Sequence, residues 1–434
     1  MRKFLFPVVL ALLVFLATEI LSFLGLSALE KGWVSYRSLS EARQEILSDD
    51  FESSSPDKQA LRQTRRFQQH FGINVLHPFM GFVSLPRDVV RKRANFRPGA
   101  ANLGFPDNHF SLVQKESDDK VVVGLFGGSV ANILANVAFD QLSEEIAAIP
   151  RFAGKKVILN HAALGGFKQP QQLMALNYFV ALGGHFDVVI NLDGFNEVAL
   201  PGPDLVAKGI FPHYPRDWYF RTAGMDSELR LSLGRIEVLR DQRRQNAQFF
   251  SGPWLRRSFT GALLWTLRDQ RLDGELASAQ LELMDRDGGS KSFQTRGPRR
   301  NYPEPEDLYQ DLAAMWIRSS QQMHSIAKGL GAEYYHFLQP NQYLEGSKVL
   351  TQEELQRAFQ EDHRYRVGVV EGYPLLQSAG QKARAEGLPF IDLTAVFRDV
   401  PQTLYTDSCC HFNLEGNFLL ARAMVDAIAA GPAS

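Results

Sequence analysis

The sequence predicts an α/β domain built on a parallel sheet covered on both faces. Three observations carry this expectation. Short, strongly apolar runs recur along the chain: "KVVVGLF" from Lys120, "KKVILN" from Lys155, "DVVINLD" from Asp187, "EYYHFLQP" from Glu333 and "PFIDL" from Pro389. Within the runs apolar residues follow one another without a period of two, as in strands buried on both faces. Helical patterns such as Gln171 to Leu182 separate them, and a parallel pair needs a crossover of that kind.

The N-terminal segment is of another kind. Arg2 and Lys3 precede an apolar stretch from Phe4 to Leu29 that only Glu19 interrupts. Its 26 residues exceed the roughly 20 that a tilted transmembrane helix needs. The leading basic pair favours a cytoplasmic N-terminus, with the rest of the chain outside the inner membrane of a bacterium-like cell, in the periplasm. A cleaved signal peptide with Phe4 to Thr18 as its apolar region is the alternative. Leu26-Ser27-Ala28 is a poor cleavage site, and Glu19 is costly in hydrocarbon. Either way the body of the protein is exported.

The remaining organisation follows from composition. Residues 1–29 are thus the anchor or signal segment, residues 30–75, polar and broken at Ser53 to Pro56, a membrane-proximal stalk, and residues 76–434 the α/β domain. The alternation of strand and helix fails between about 200 and 310, which is expected to be a helical insertion into that domain. Its basic helix "SELRLSLGRIEVLRDQRRQNAQFF" is expected to present a solvated face; the other possibility is a role at lipid headgroups, with Trp254 and Trp265 near the interface. With 47 basic and 48 acidic residues the chain offers no global attraction to nucleic acid, and none is expected as a partner. Cys409 and Cys410, the only cysteines, are adjacent and exclude a long-range disulfide framework. No cluster has the spacing of a metal site, and neither metal nor cofactor is expected.

In an open parallel sheet the ligand site lies beyond the carboxyl ends of the strands. The first run ends in Gly127, Gly128 and Ser129, the second in "NHAALGGFKQPQQ", the third in "DGFNEV"; near the C-terminus "YTDSCCHFN" adds Asp407 and His411. A hydroxyl, an imidazole, a carboxylate, a glycine amide and a side-chain amide are the parts of an acyl-transfer site. A serine needs a base to accept its proton, a histidine can supply it, and an aspartate fixes the imidazole tautomer. The oxyanion then needs preorganised donors, for which the Ser129 amide, the Gly166 amide and the Asn196 side chain are suited. Gly165 competes with Gly166 for that part. Taken singly, Ser129 would be a helix cap and Asn196 a turn former. His161, Asp193 and His336 are expected to be structural strand-end residues.

Four segments in order resemble the blocks of the SGNH (GDSL-like) hydrolase superfamily: "FGGS" with Ser129, "GGFKQPQ" with Gly166, "GFNE" with Asn196 and "DSCCHFN" with His411. Upstream, "HPFMGFV" and "NLGF" are similar to segments that precede the serine block in membrane-anchored bacterial members. The resemblance implies a flavodoxin-like three-layer α/β/α fold. It also implies a serine esterase or acyl hydrolase, or an O-acyltransferase, with a Ser129-His411-Asp407 triad and Ser129, Gly166 and Asn196 as oxyanion hole. Three positions depart from the family pattern. Gly128 stands where the name motif has Asp, and Glu197 where Asp often follows the block's Asn. The family's aspartate usually sits three residues before the histidine, whereas Asp407 sits four before His411 and Ser408 takes the expected place. Either a local bulge brings Asp407 into line or the site is a Ser-His dyad.

For substrate, the insertion begins just after Asn196 with Phe211, Tyr214, Trp218 and Tyr219, among which Trp218 and Tyr219 are the candidate substrate-binding residues. Aromatic faces stack on sugar rings, so the expected substrate is an O-acylated, above all O-acetylated, envelope or extracellular carbohydrate. The same rings could instead pack the insertion onto the domain. A non-catalytic polysaccharide-binding scaffold of the same fold is the third alternative.

Overall fold

A computed structural model of the chain describes residues 2–30, 32–47, 74–84, 103–105, 117–222, 227–284 and 292–431. It resolves into two compact units, one of Met1–Arg66 with Ala223–Ser290 and one of Phe67–Thr222 with Lys291–Ser434. The chain opens with helices α1 (Arg2–Leu29) and α2 (Tyr36–Leu47). Most of the expected stalk lies outside the described residues.

The second unit begins with an antiparallel hairpin of β1 (Asn74–His77) and β2 (Gly81–Ser84). Five strands then form the parallel sheet: β3 (Lys120–Gly127), β4 (Lys156–Ala163), β5 (Val188–Asp193), β6 (Glu333–Leu338) and β7 (Phe390–Asp392), in the order β4-β3-β5-β6-β7. The five apolar runs are these five strands, and their order is the flavodoxin-like one. Every residue of β3 after Lys120 and all of β5 are buried, which is why their sequences do not alternate.

Helices cover both faces. α3 (Ser129–Val137) and α4 (Phe139–Ala147) follow β3 and, with the C-terminal helix, pack on one face. α5 (Gln171–Ala181) follows β4 on the other face. The chain then leaves the unit for α6 (Ser227–Phe250) and α7 (Phe259–Met284) and returns with α8 (Pro305–Leu330) and α9 (Arg366–Ala385), which join α5, before α10 (Leu414–Ala430) closes the first face.

The excursion is the expected helical insertion, and the structure adds which unit it packs with. Residues 223–290 belong with residues 1–66, and only the flanks of the 200–310 segment stay with the sheet. α6 and α7 run antiparallel, Arg243 facing Asp269 and Asn246 facing Trp265. The apolar stripe of the hairpin finds its partners on the N-terminal helices: Leu26, Val34, Leu39, Phe250, Ala262 and Trp265 form one core. Nor is the basic helix face wholly solvated. Arg243 is buried and donates to both carboxylate oxygens of Asp269, at 3.0 and 2.8 Å.

Candidate active site

β3 delivers Ser129 to the carboxyl edge of the sheet, at the switch point where β4 and β5 leave on opposite sides of it. Two glycines make the turn possible. Gly127 has φ +155, and a Cβ there would collide with the Leu192 carbonyl; Gly128 is the N-cap of α3. Ser129 is therefore the first residue of the helix, not its cap. Its hydroxyl faces His411, with Ser129 Oγ 2.8 Å from His411 Nε2.

His411 lies just before α10, and its other ring nitrogen meets Asp407: Nδ1 to Oδ2 is 2.5 Å. The four-residue spacing works because the carboxylate closes a tight turn. Asp407 Oδ1 accepts from the backbone amides of Cys409, Cys410 and His411 at 2.9, 3.1 and 3.3 Å, leaving Oδ2 for the imidazole. Burial opposes the charge on Asp407, but His411 and these amides outweigh it and hold the carboxyl down at about 2. Burial likewise opposes the imidazolium, but the Asp407 hydrogen bond and charge raise the His411 pKa above its usual value.

A second layer positions this turn. Beyond β6, Asn341, Gln342 and Tyr343 donate to the carbonyls of Cys409, Asp407 and Ser408 at 3.1, 3.0 and 2.9 Å. Three consecutive side chains thus grip three consecutive carbonyls. Sequence reasoning missed them; the signal available was a polar "NQY" two residues beyond a buried strand.

Of the candidate oxyanion donors, Asn196 lies beside the turn of residues 127–129. Asn196 Nδ2 donates one N–H to the Phe167 carbonyl at 2.7 Å, and a primary amide has a second to offer. This nitrogen lies hard against the Cα of Gly128. The amide of Ser129, at the start of α3, has no acceptor within the helix. Between Gly165 and Gly166, it is Gly166 that adopts the left-handed conformation, at φ +83. Glu197 ties the two loops: Oε2 accepts from Gly194 N at 2.8 Å and Oε1 from Gln169 N at 3.0 Å. Burial and the neighbouring Asp193 push its carboxyl up to about 8. The β1–β2 hairpin supports the Gly166 loop from outside, with Phe82 edge-on to Phe167 at 5.1 Å.

Trp218 and Tyr219 sit on a short helix and are tied within the flank of the insertion. Trp218 Nε1 donates to the Gln294 carbonyl at 2.8 Å and its ring packs on Tyr214, while Tyr219 receives Lys208 Nζ at 3.0 Å. The residue of this segment that reaches the site is Arg216. Its side chain crosses Gly166, 3.1 Å from where a Cβ would stand, and its charge acts on His411 and Cys409. Asp204 and Tyr365 fix the guanidinium, at 3.1 and 3.0 Å. Buried Lys168 holds the segment down through the Pro212 carbonyl at 2.7 Å, and burial lowers its pKa to about 7.

Asp193 and His336 form a second carboxylate–imidazole pair, at 2.8 Å, but both are buried and Trp316 Nε1 also donates to Asp193, at 2.7 Å. No nucleophile joins them among the described residues. The two cysteines directly precede His411, and their sulfurs are 3.3 Å apart. With His411 they gather three metal-capable donors within 4.8 Å of one another, a grouping the sequence spacing did not announce. Both ring nitrogens of His411 are already engaged, so an ion there would compete with Ser129.

No family model and no curated protein matches the chain. Among solved structures, the chain is similar to the lipase/acylhydrolase from Enterococcus faecalis, with 15% identity and a TM-score of 0.32 over 72% of this chain and 99% of that one.

Proposed function

We propose that this chain is a serine hydrolase of O-acyl esters, akin to the SGNH hydrolases it resembles, held at a bacterial inner membrane with its α/β unit in the periplasm. The observation that supports this most is the unbroken relay from Asp407 through His411 to Ser129 at the carboxyl edge of the sheet. In this mechanism His411 Nε2 takes the proton of Ser129 as its oxygen attacks the ester carbonyl. The amides of Ser129 and Gly166 and the free N–H of Asn196 receive the oxyanion. His411 then protonates the departing alcohol, leaving acyl-Ser129. A water deprotonated by the same imidazole releases the acid. Asp407 keeps Nδ1 protonated throughout and stabilises the transient imidazolium.

The substrate class that goes with it is an O-acetylated envelope or extracellular carbohydrate. The segment that brings Arg216 over Gly166 supports it by composition: from 211 to 219 it offers no Leu, Ile, Val or Met to form a long-chain groove, while Trp218 and Tyr219 are themselves tied within the flank.

A fluorophosphonate tests the chemistry: it should label wild type on the peptide containing Ser129 and leave Ser129→Ala unlabelled. Absence of labelling in folded wild type would return the chain to a non-catalytic scaffold. Acetylated oligosaccharides then decide the acceptor, since acetate release marks hydrolysis and transfer to added sugar marks an O-acyltransferase. Preference for long-chain esters would refute the carbohydrate assignment.

A further inference from the structure

The first unit poses two problems that answer each other. Glu19 sits in α1 within the apolar stretch Phe6–Leu29, where an unpaired carboxylate would be costly. α7 begins with backbone amides that have no acceptor in the helix. The Glu19 carboxylate accepts from Ser258 Oγ at 2.7 Å and from the amides of Phe259 and Thr260 at 2.7 and 3.2 Å. Ser22 meets Thr260 at 3.0 Å, Gly25 lets Leu263 approach, and Leu26 is fully buried in the shared core. The polar groups at this junction are thus satisfied without water, as a low-dielectric surrounding requires.

The register fixes a depth. Glu19 lies ten residues before Leu29, about 15 Å along the helix. Counted from Phe6, the roughly 20 residues that cross a hydrocarbon core end at Gly25, six residues or about 9 Å beyond Glu19. The connection between α6 and α7 is level with Glu19, so it shares that depth. Its composition suits lipid: Trp254 is 90% exposed and Phe249 66%, with the exposed Arg256 and Arg257 beside them, long enough to snorkel to phosphates. Trp265, the other tryptophan of the hairpin, is buried under Arg43 and takes no part. Between the connection and α1 runs an open cleft of about 700 Å³, walled by Leu10, Val14 and Phe15 on one side and Leu255 and Leu264 on the other. Its one charged residue, Glu19, is already occupied by three donors.

We propose that α1 is retained in the mature protein, that the α6–α7 connection around Trp254 enters the outer leaflet beside it, and that the cleft between them holds an acyl chain of a membrane phospholipid. The protein then has two membrane elements, one spanning and one interfacial.

The test uses the full chain in phosphatidylcholine–phosphatidylglycerol vesicles whose acyl chains are brominated, which quenches tryptophan fluorescence on contact. The quenched fraction of wild type should exceed that of Trp254→Phe, and equal fractions would overturn the interfacial element. Adding Leu264→Trp to Trp254→Phe should restore quenching if an acyl chain fills the cleft; an unquenched new tryptophan would overturn the cleft assignment. The intact mass of the membrane-extracted protein should include residues 1–29, and a chain starting near Ala28 would overturn retention. None of these readouts depends on catalysis.

Discussion

Gly128→Ala isolates the proposed oxyanion hole from the rest of the site. Gly128 has φ −90 and ψ −150, extended backbone that alanine adopts without strain, so the substitution acts through its methyl group alone. That methyl overlaps Asn196 Nδ2 and stands 3.2 Å from the Phe167 carbonyl oxygen and 3.3 Å from Asn196 Cγ. Ordinary contact is about 3.5 Å, so the amide must withdraw by about 1 Å. Asn196 is buried and bound to Phe167 O at 2.7 Å, and has little room to do so without turning its second N–H away. Loss of one oxyanion donor costs roughly 3 to 4 kcal/mol. We therefore expect kcat on a short acetyl ester to fall about 10²- to 10³-fold with KM little changed, and the thermal midpoint to drop by what about 1 to 3 kcal/mol of overpacking costs. Ser129, His411 and Asp407 are untouched, so fluorophosphonate labelling should slow but still map to Ser129. The assay is initial-rate hydrolysis of p-nitrophenyl acetate beside a thermal melt. A folded Gly128→Ala enzyme within threefold of wild type would remove Asn196 from the oxyanion hole.

Asp407→Asn should lower kcat by about 10³- to 10⁴-fold, because the amide cannot hold Nδ1 protonated; a loss below tenfold would mean that Ser129 and His411 act as a dyad. Since the neutral imidazole is the base and Asp407 raises its pKa, kcat/KM should climb with pH to a midpoint above 6.5, a wild-type midpoint at or below 6.5 being the contrary result. Tyr343→Phe frees the Ser408 carbonyl and should reduce stability by about 1 kcal/mol, with kcat falling while KM holds; an unchanged kcat would make the clamp purely structural. Cys409 is partly exposed and Cys410 buried, so iodoacetamide should alkylate Cys409 first and block fluorophosphonate labelling of Ser129, as peptide mapping would reveal; full labelling after complete alkylation would place Cys409 outside the substrate's path.

The sequence by itself determined the sheet and the positions of the groups at its edge. A strand buried on both faces must be apolar throughout, so "VVVGLF" and "VVINLD" announce themselves locally, and whatever follows each of them falls at one edge. Ser129, Gly166 and Asn196 were legible as candidates for that reason, and His411 from the segment that precedes the C-terminal helix. Only the tertiary structure decided how they meet. Ser129 and His411 are 282 residues apart, and no local pattern records the 2.8 Å between them. Asp407 reaches His411 across a four-residue spacing because three backbone amides fold round one carboxylate oxygen, a geometry that residue spacing alone leaves open. Arg216 carries no signature and the Asn341-Gln342-Tyr343 clamp no more than a polar run beyond β6, because their partners are backbone atoms or side chains of distant segments. The partner of the α6–α7 hairpin stayed open for the same reason: an amphipathic stripe states that a helix needs an apolar partner and does not say which one. That partner was α1, and the Glu19 that weakened the case for a membrane helix proved to be the group that caps α7.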